Sequence, residues 1–133
     1  LKREIAAVTL DMIRRLQPDE FETLVDLIFT RSGWRRVGRL GGNQPDVDLL
    51  LEQPLTGRRG WVQVKSSCTQ AVLDEYYGRF RRSGAAGDFF FVVHTAPALC
   101  LPAEPNLHLW SGDRLADIVS EVGLFDWLLK RIR

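Results

Sequence analysis

The sequence predicts an α/β fold in which a central mixed β-sheet is flanked by helices. Apolar residues recur at helical spacing in several segments, and short apolar runs bounded by turn-forming residues lie between them. One run, residues 89–93, is apolar throughout, which is typical of a strand covered on both faces. The 133 residues, 45% of them hydrophobic, are enough for one domain spanning residues 1–133. Because the chain begins with leucine, we leave open that this domain is part of a longer protein.

The first third of the chain predicts two helices. Apolar spacing between Ile5 and Leu16 indicates the first, although the β-branched Thr9 interrupts its pattern. Pro18 suits the first turn of the second helix, where its missing N–H costs nothing, and the acidic residues that follow favour the positive end of the helix dipole. Gly33 suits the left-handed conformation that ends many helices, so we expect the second helix to stop there.

The middle of the chain predicts a short strand over residues 34–37, an irregular loop over 39–45 and a β-hairpin. The hairpin strands are residues 47–51 and 61–65, and the segment between them is rich in turn-forming residues. The remaining predicted elements are a helix over 69–82, the strand over 89–93, a short strand closed by Trp110, and two terminal helices over 114–122 and 124–132, the first of them capped by Asp113.

The hairpin carries polar side chains in an otherwise apolar strand pair: Asp46 and Asp48 on one strand, Gln63 and Lys65 on the other. Because side chains alternate along a strand, Gln63 and Lys65 share one face, and Val62 and Val64 point to the other. Burying such polar groups is costly unless they are paired or hold a metal. The pattern therefore predicts either a cross-strand ion pair, worth up to about 1 kcal/mol, or a site for a hard cation such as Mg²⁺.

The acid-bearing strand, the turn and the run Gln63-Val64-Lys65 together resemble the core of the PD-(D/E)xK nuclease superfamily. The glutamine in this run is similar to the variant found in Mrr-type restriction endonucleases. Upstream, Phe21-Glu22 resembles the family's first core helix, and downstream the segments 88–95 and 107–115 resemble its later strand and its closing strand and helix. The resemblance covers most of the chain and implies a restriction-endonuclease-like core.

The resemblance implies that Asp48 is the principal metal ligand, since it leads directly into the apolar run that follows. Asp46 is the alternative, because with Pro45 it spells the Pro-Asp of the superfamily motif. The family often has a glycine-rich Asp-Gly-Gly-Ile-Asp approach to this acid, and the present chain departs from it. Which of the two aspartates holds the metal therefore stays open.

The resemblance also assigns roles to four other residues. Gln63 stands where most of the superfamily has a second acid, so its amide oxygen ligates without adding charge, and Glu22 on the preceding helix supplies the missing carboxylate. The backbone carbonyl of Val64 faces the metal, and Lys65 positions or activates the attacking water. From the residues alone, the favoured interpretation of Glu22 is a solvated partner of the helix dipole rather than a ligand.

These roles imply an endonuclease that hydrolyses DNA phosphodiester bonds with Mg²⁺, for which Mn²⁺ is a plausible substitute. Two alternatives stay open: an inactive nuclease-fold module that binds DNA or a protein partner, and a structure-selective nuclease of the junction-resolvase type. Cutting both strands would suggest a homodimer. No base-reading module is visible, so target choice is expected to reside in an additional domain or subunit.

The net charge of +1 does not by itself indicate a nucleic-acid partner, but arginines cluster at several places in the sequence. Arg35, Arg36 and Arg39 precede the glycine-rich turn and the metal acid, and the planar guanidinium bonds phosphate bidentately. We expect these three to contact DNA, the simpler interpretation being a solvated face.

The two cysteines lie far apart without metal-type spacing, and they are expected to be buried or idle thiols rather than a disulfide. His94 at a strand end is expected to be a hydrogen-bonded bystander rather than a catalyst. The sequence has no signal peptide and no apolar run long enough to span a membrane, so we expect a cytoplasmic protein.

Overall fold

A computed structural model describes residues 1–38 and 49–132. Their helices are α1 (Lys2–Arg14), α2 (Pro18–Arg31), α3 (Gln70–Arg82), α4 (Gly112–Glu121) and α5 (Phe125–Arg131). Their strands are β1 (Arg35–Gly38), β2 (Leu49–Glu52), β3 (Arg59–Ser67), β4 (Asp88–Thr95) and β5 (Leu107–Trp110). Asp46, Asp48 and the predicted loop over 39–45 lie outside the described residues.

The strands form one mixed sheet in the order β1-β2-β3-β4-β5. The pairs β1–β2 and β2–β3 are antiparallel, and the second is the predicted hairpin, in which Leu49 is the partner of Val62. The pair β3–β4 is parallel, because α3 carries the chain back across the sheet between these two strands. The pair β4–β5 is also parallel, and residues 96–106 make its connection. The predicted class, a mixed sheet flanked by helices, is confirmed.

The two N-terminal helices form where the sequence predicts them. Thr9 lies within α1, where its hydroxyl donates a hydrogen bond to the Ile5 carbonyl at 2.8 Å, so the buried polar group has a partner. Gln17 is the N-cap of α2, and the Gln17 backbone N–H donates a hydrogen bond to the carboxylate of Glu20 at 2.9 Å. After α2, Gly33 has a φ of 87°, the left-handed conformation that the sequence predicts there.

Helices cover both faces of the sheet, and the two faces have separate apolar cores. On one face, residues of α1, α2, α4 and α5 pack against side chains of β3 and β4, among them Val62, Val64, Phe90 and Val92. On the other face, α3 packs against Phe89, Phe91 and Val93. Strand β4 is therefore covered on both sides, as its continuous apolar run predicts.

An ion network joins the start of β4 to its neighbours. The buried carboxylate of Asp88 accepts a hydrogen bond from the guanidinium of Arg58 and lies 3.0 Å from Nε2 of His108 on β5. The His108 ring stacks on Phe90 with 4.4 Å between ring centroids. These contacts tie the entry to β3, the start of β4 and β5 together at one end of the parallel part of the sheet.

One predicted cap is wrong. The N-cap of α4 is Ser111, and the helix begins at Gly112, so Asp113 lies in the first turn instead of capping it. An acid in that turn still interacts favourably with the helix dipole. Among the described helices, none has the length and apolar character that a bilayer crossing requires.

Candidate active site

The centre of the candidate site is the middle of β3, where Gln63 and Lys65 share a face. Gln63 lies in register with Phe91, and Lys65 with Val93, so both side chains point to the face that α3 covers. Val64, which alternates with them, packs in the core of the opposite face. The predicted division of the β3 side chains is therefore the observed one. Gln63 is only 2% exposed, so a polar amide lies in the interior of the sheet.

The Lys65 ammonium contacts an aromatic ring of α3. Its Nζ lies 4.9 Å from the ring centroid of Tyr76, within the range of a cation–π interaction. Tyr76 is half-buried and packs against Phe91 on the same sheet face. The sequence predicts Tyr76 only as part of the apolar side of α3, so its contact with Lys65 is a feature that the sequence analysis missed.

Glu22 projects into a cleft on the other side of the sheet. The cleft has a volume of about 290 Å³ and lies between α2 and the first three strands. It is lined by Asp19, Glu22, Thr23, Asp26, Arg36, Leu49 and Val64. The four α2 residues of this lining are spaced by three, one and three positions, which is a polar stripe on one helix face. This spacing is readable in the sequence, and it could have identified Asp19 and Asp26 as neighbours of Glu22.

The structure thus brings Glu22 close to Val64, whereas the side chains of Gln63 and Lys65 point to the opposite face. Asp46 and Asp48 lie outside the described residues. Leu49, the residue that follows Asp48 in the sequence, lines the cleft and is the β-sheet partner of Val62. Leu49 therefore lies at the Glu22 cleft and next to the strand position that precedes Gln63.

The candidate ligands near the middle of β3 carry oxygen donors. Glu22 has an exposed carboxylate on the cleft side of the sheet, whereas the Gln63 amide lies on the α3 side, and both residues, like Val64, take part in contacts of their own. Oxygens are the donor type that hard cations such as Mg²⁺ prefer. In the part of the chain that the structure describes, no three His, Cys, Asp or Glu side chains cluster in a way that suits a metal ion. The donor types of the described residues suit Mg²⁺, although Glu22 and the Gln63 side chain lie on opposite faces of the sheet.

Arg35 and Arg36 are exposed, and each pairs with a carboxylate. Nη2 of Arg35 lies 2.7 Å from Oε1 of Glu52, and Nε of Arg36 lies 3.6 Å from Oδ1 of Asp26. Arg39 lies outside the described residues. Arg36 lines the cleft, whereas Arg35 pairs with Glu52 on the neighbouring strand and is not part of the cleft lining. Both side chains stay exposed, so their other donors remain accessible.

Two further titratable groups lie near the ends of β3 and β4. Burial lowers the pKa of His94, and the positive charge of Arg14 lowers it further. Nδ1 of His94 lies 2.8 Å from the Thr95 hydroxyl, which matches the expected hydrogen-bonded bystander. Burial raises the pKa of the Cys68 thiol, against the opposing effect of Lys65, so the thiol stays protonated and is a poor nucleophile. Both cysteines are free, as predicted.

A family model described as restriction endonuclease, that of the Mrr-type catalytic domain, matches residues 13–119. The match runs from the last turn of α1 into α4 and includes the whole sheet. No curated protein and no solved structure matches the chain. Because the family model covers most of the chain, it confirms the resemblance seen in the acid-bearing strand, the Gln63-Val64-Lys65 run and the Phe21-Glu22 helix. The chain belongs to the Mrr-type restriction endonuclease family.

Proposed function

We propose that this protein is a Mg²⁺-dependent endonuclease that hydrolyses DNA phosphodiester bonds. The observation that carries the proposal is the placement of Gln63 and Lys65 on one face of a buried strand, in a chain that belongs to the restriction endonuclease family. Gln63 is 2% exposed and Lys65 is half-buried beside it, and polar groups in the interior cost free energy unless they are paired or hold a cation. A site that binds a cation and a phosphate gives both of them a role.

In this proposal, Asp48 is the principal metal ligand, with Asp46 as the alternative. Asp48 directly precedes Leu49, whose strand partner, Val62, is the neighbour of Gln63. The Gln63 amide oxygen and the Val64 carbonyl are further ligands, and Glu22 supplies a second carboxylate. When bound, Mg²⁺ supplies Lewis acidity and lowers the pKa of a coordinated water.

Lys65 acts on the water and on the phosphate. Its ammonium donates hydrogen bonds that hold the attacking water in line with the scissile bond, and its charge opposes the negative charge that develops on the phosphate oxygens. The water attacks phosphorus and loses a proton to solvent, the P–O bond to the leaving oxygen breaks with its electron pair on that oxygen, and the leaving oxygen takes up a proton. No covalent enzyme intermediate forms. Burial raises the pKa of the Cys68 thiol, which disfavours the thiolate that a covalent route through this cysteine would need.

The proposed contacts with the DNA backbone come from Arg35, Arg36 and Arg39. Arg35 and Arg36 exchange part of their pairing with Glu52 and Asp26 for phosphate oxygens, which bind the guanidinium bidentately. Cleavage of both strands would use a homodimer, and target choice would come from another domain or subunit. We place this activity in the cytoplasm, where DNA is the substrate of a restriction or DNA-processing enzyme.

One observation favours a second function, an inactive nuclease-fold module that binds DNA or a protein partner. Gln63 replaces a carboxylate, so the site has one negative charge fewer to hold a divalent cation. A calorimetric titration with Mn²⁺ separates the two: binding heat that disappears in Asp48→Ala supports the enzyme, and no binding heat in the unaltered protein supports the module.

Plasmid digestion tests the proposal directly. The protein is expected to convert supercoiled plasmid to nicked and linear forms with Mg²⁺, and to leave it intact with EDTA. Parallel digestion of linear duplex, single strand and four-way junction distinguishes a general endonuclease from a structure-selective one. Cleavage that proceeds equally well in EDTA is incompatible with the proposal, and preference for the junction alone would replace it with the structure-selective alternative.

A further inference from the structure

The contact between Lys65 and Tyr76 joins the central strand to the helix that follows it. The Lys65 Nζ lies 4.9 Å from the centre of the Tyr76 ring, and Tyr76 is fixed by its packing against Phe91, with 6.3 Å between ring centroids. Within the described part of the chain, Lys65 takes part in no ion pair or hydrogen bond through its side chain. Among the described residues, the Tyr76 ring is therefore the group that orients the Lys65 ammonium.

A lysine side chain needs such a group because its four-carbon stem has many rotamers of similar energy. A carboxylate partner would fix the ammonium, but it would also neutralise the charge and use the N–H donors that a water and a phosphate need. An aromatic face attracts the cation through its quadrupole and leaves the charge and the N–H donors in place. The geometry thus fits a lysine that is held for chemistry rather than for stability.

We propose that Tyr76 is a positioning residue that holds the Lys65 ammonium on the α3 face of β3, beside Gln63, in the orientation needed for cleavage. This inference rests on the proposed endonuclease activity of the same site. It concerns the aromatic ring of Tyr76 and not its hydroxyl, because the ring is the part of the side chain that lies against the ammonium.

The α3 helix adds a second cation to the same ring. The guanidinium carbon of Arg79 lies 5.2 Å from the Tyr76 centroid, and Nη2 of Arg79 lies 2.5 Å from Oε1 of Glu75 one turn earlier. Glu75 thus orients Arg79 along α3. Tyr76 therefore lies between two basic side chains, of which Arg79 is paired with a carboxylate and Lys65 has no carboxylate partner among the described residues.

The test compares three variants in full-length protein: Tyr76→Phe, which keeps the ring, Tyr76→Leu, which removes it, and Tyr77→Leu as the matched control. Tyr77 is a half-buried tyrosine of the same helix, and its ring lies against Phe89 and Arg81 rather than against Lys65. Steady-state cleavage of a short duplex gives kcat and KM. NMR gives the position of the Lys65 Hε resonance, which the Tyr76 ring current shifts upfield and which Lys65→Arg assigns.

We expect Tyr76→Leu to lower kcat about 10- to 100-fold with KM changed less than about twofold, since misplacing a catalytic group acts on the reaction step. The upfield shift of Lys65 Hε is expected to be lost in Tyr76→Leu and kept in Tyr76→Phe, which retains near-normal kcat. Tyr77→Leu is expected to keep both the shift and kcat, even though it removes a similar amount of packing.

Two results overturn the inference in distinguishable ways. If the unaltered protein cleaves DNA and Tyr76→Leu cleaves it equally fast, Tyr76 has no positioning role and the proposed function stands. If the unaltered protein does not cleave DNA although the Lys65 resonance is ring-shifted, the contact is structural and the proposed function fails together with the inference. Equal losses of kcat in Tyr76→Leu and Tyr77→Leu would assign the effect to packing and would also overturn it.

Discussion

Glu22 and Lys65 approach strand β3 from opposite sides of the sheet. Glu22 reaches its cleft from α2, which packs on the Val62 and Val64 face, whereas Lys65 lies against Tyr76 on the α3 face. The two groups assigned to one active site thus do not share a sheet face. A metal centre that uses both groups has to be reached from opposite faces of the sheet. The role of Glu22 is therefore tested separately from that of Lys65.

Glu22→Gln tests whether the helix contributes a metal ligand. If the carboxylate ligates, removing its charge lowers Mn²⁺ affinity at least about tenfold, since charge count governs the affinity of hard-cation sites. Asp26→Asn is the matched control, because Asp26 lines the same cleft but pairs with Arg36. Isothermal titration calorimetry measures both. Equal Mn²⁺ affinity in Glu22→Gln and the unaltered protein would remove Glu22 from the ligand set.

Gln63→Glu tests whether Gln63 stands at the metal. A carboxylate at this 2% exposed position is destabilising without a cation, because burial disfavours its charged form. We expect the melting temperature of the metal-free variant to fall by several degrees and to recover with Mg²⁺, since a ligand that binds only the folded state stabilises it. Gln53→Glu in the hairpin turn is the control. Its melting temperature is expected to match that of the unaltered protein both without metal and with Mg²⁺. A loss of stability that Mg²⁺ does not reverse would argue that Gln63 is remote from the metal.

His94 makes stability depend on pH. Its pKa is lowered in the folded protein by burial and by Arg14, so below the ordinary value of 6.5 the unfolded chain takes up a proton before the folded one does. The free energy of unfolding is therefore expected to fall as the pH drops below 6.5. Urea unfolding at a series of pH values measures this, and His94→Gln is expected to flatten the slope. An unchanged slope in His94→Gln would assign the pH dependence to other groups.

The Asp88 network contributes to stability at the far end of the parallel strands. Asp88→Ala leaves Arg58 and His108 without their shared carboxylate, at a cost of about 1–3 kcal/mol, because Asp88 is only 8% exposed. Asp11→Ala is the control, since it removes the exposed pair of Asp11 with Arg15 and should cost under about 0.5 kcal/mol. Urea unfolding gives both values. Equal costs for the two variants would contradict the structural role of the network.

The local elements and the division of side chains along β3 were predictable, because they depend on periodicity. Alternation alone sets Gln63 and Lys65 apart from Val62 and Val64, and the continuous apolar run of β4 predicts its burial on both faces. The register of the hairpin depends on the geometry of its turn. The sequence shows that this segment is rich in turn-forming residues, but it does not specify that geometry.

Long-range contacts were not predictable, because they depend on which face of the sheet each helix covers. The sequence gives Glu22 a place at the margin of an apolar helix stripe, but not the sheet face on which that helix packs. Tyr76 has the helical spacing of a core residue, and nothing in the spacing says that Lys65 lies above it. The partners of Arg35 and Arg36 are equally invisible, since Glu52 and Asp26 belong to other elements.

Plasmid cleavage by Asp48→Ala and Lys65→Ala, compared with the unaltered protein in Mg²⁺, is the most direct measurement of the central claim. Asp126→Ala and Lys130→Ala, which remove exposed charges of α5, are the controls. The account predicts that both site variants lose at least about 100-fold in cleavage rate while their melting temperatures stay within a few degrees, and that both controls cut normally. Normal cleavage by either Asp48→Ala or Lys65→Ala would contradict the proposed mechanism.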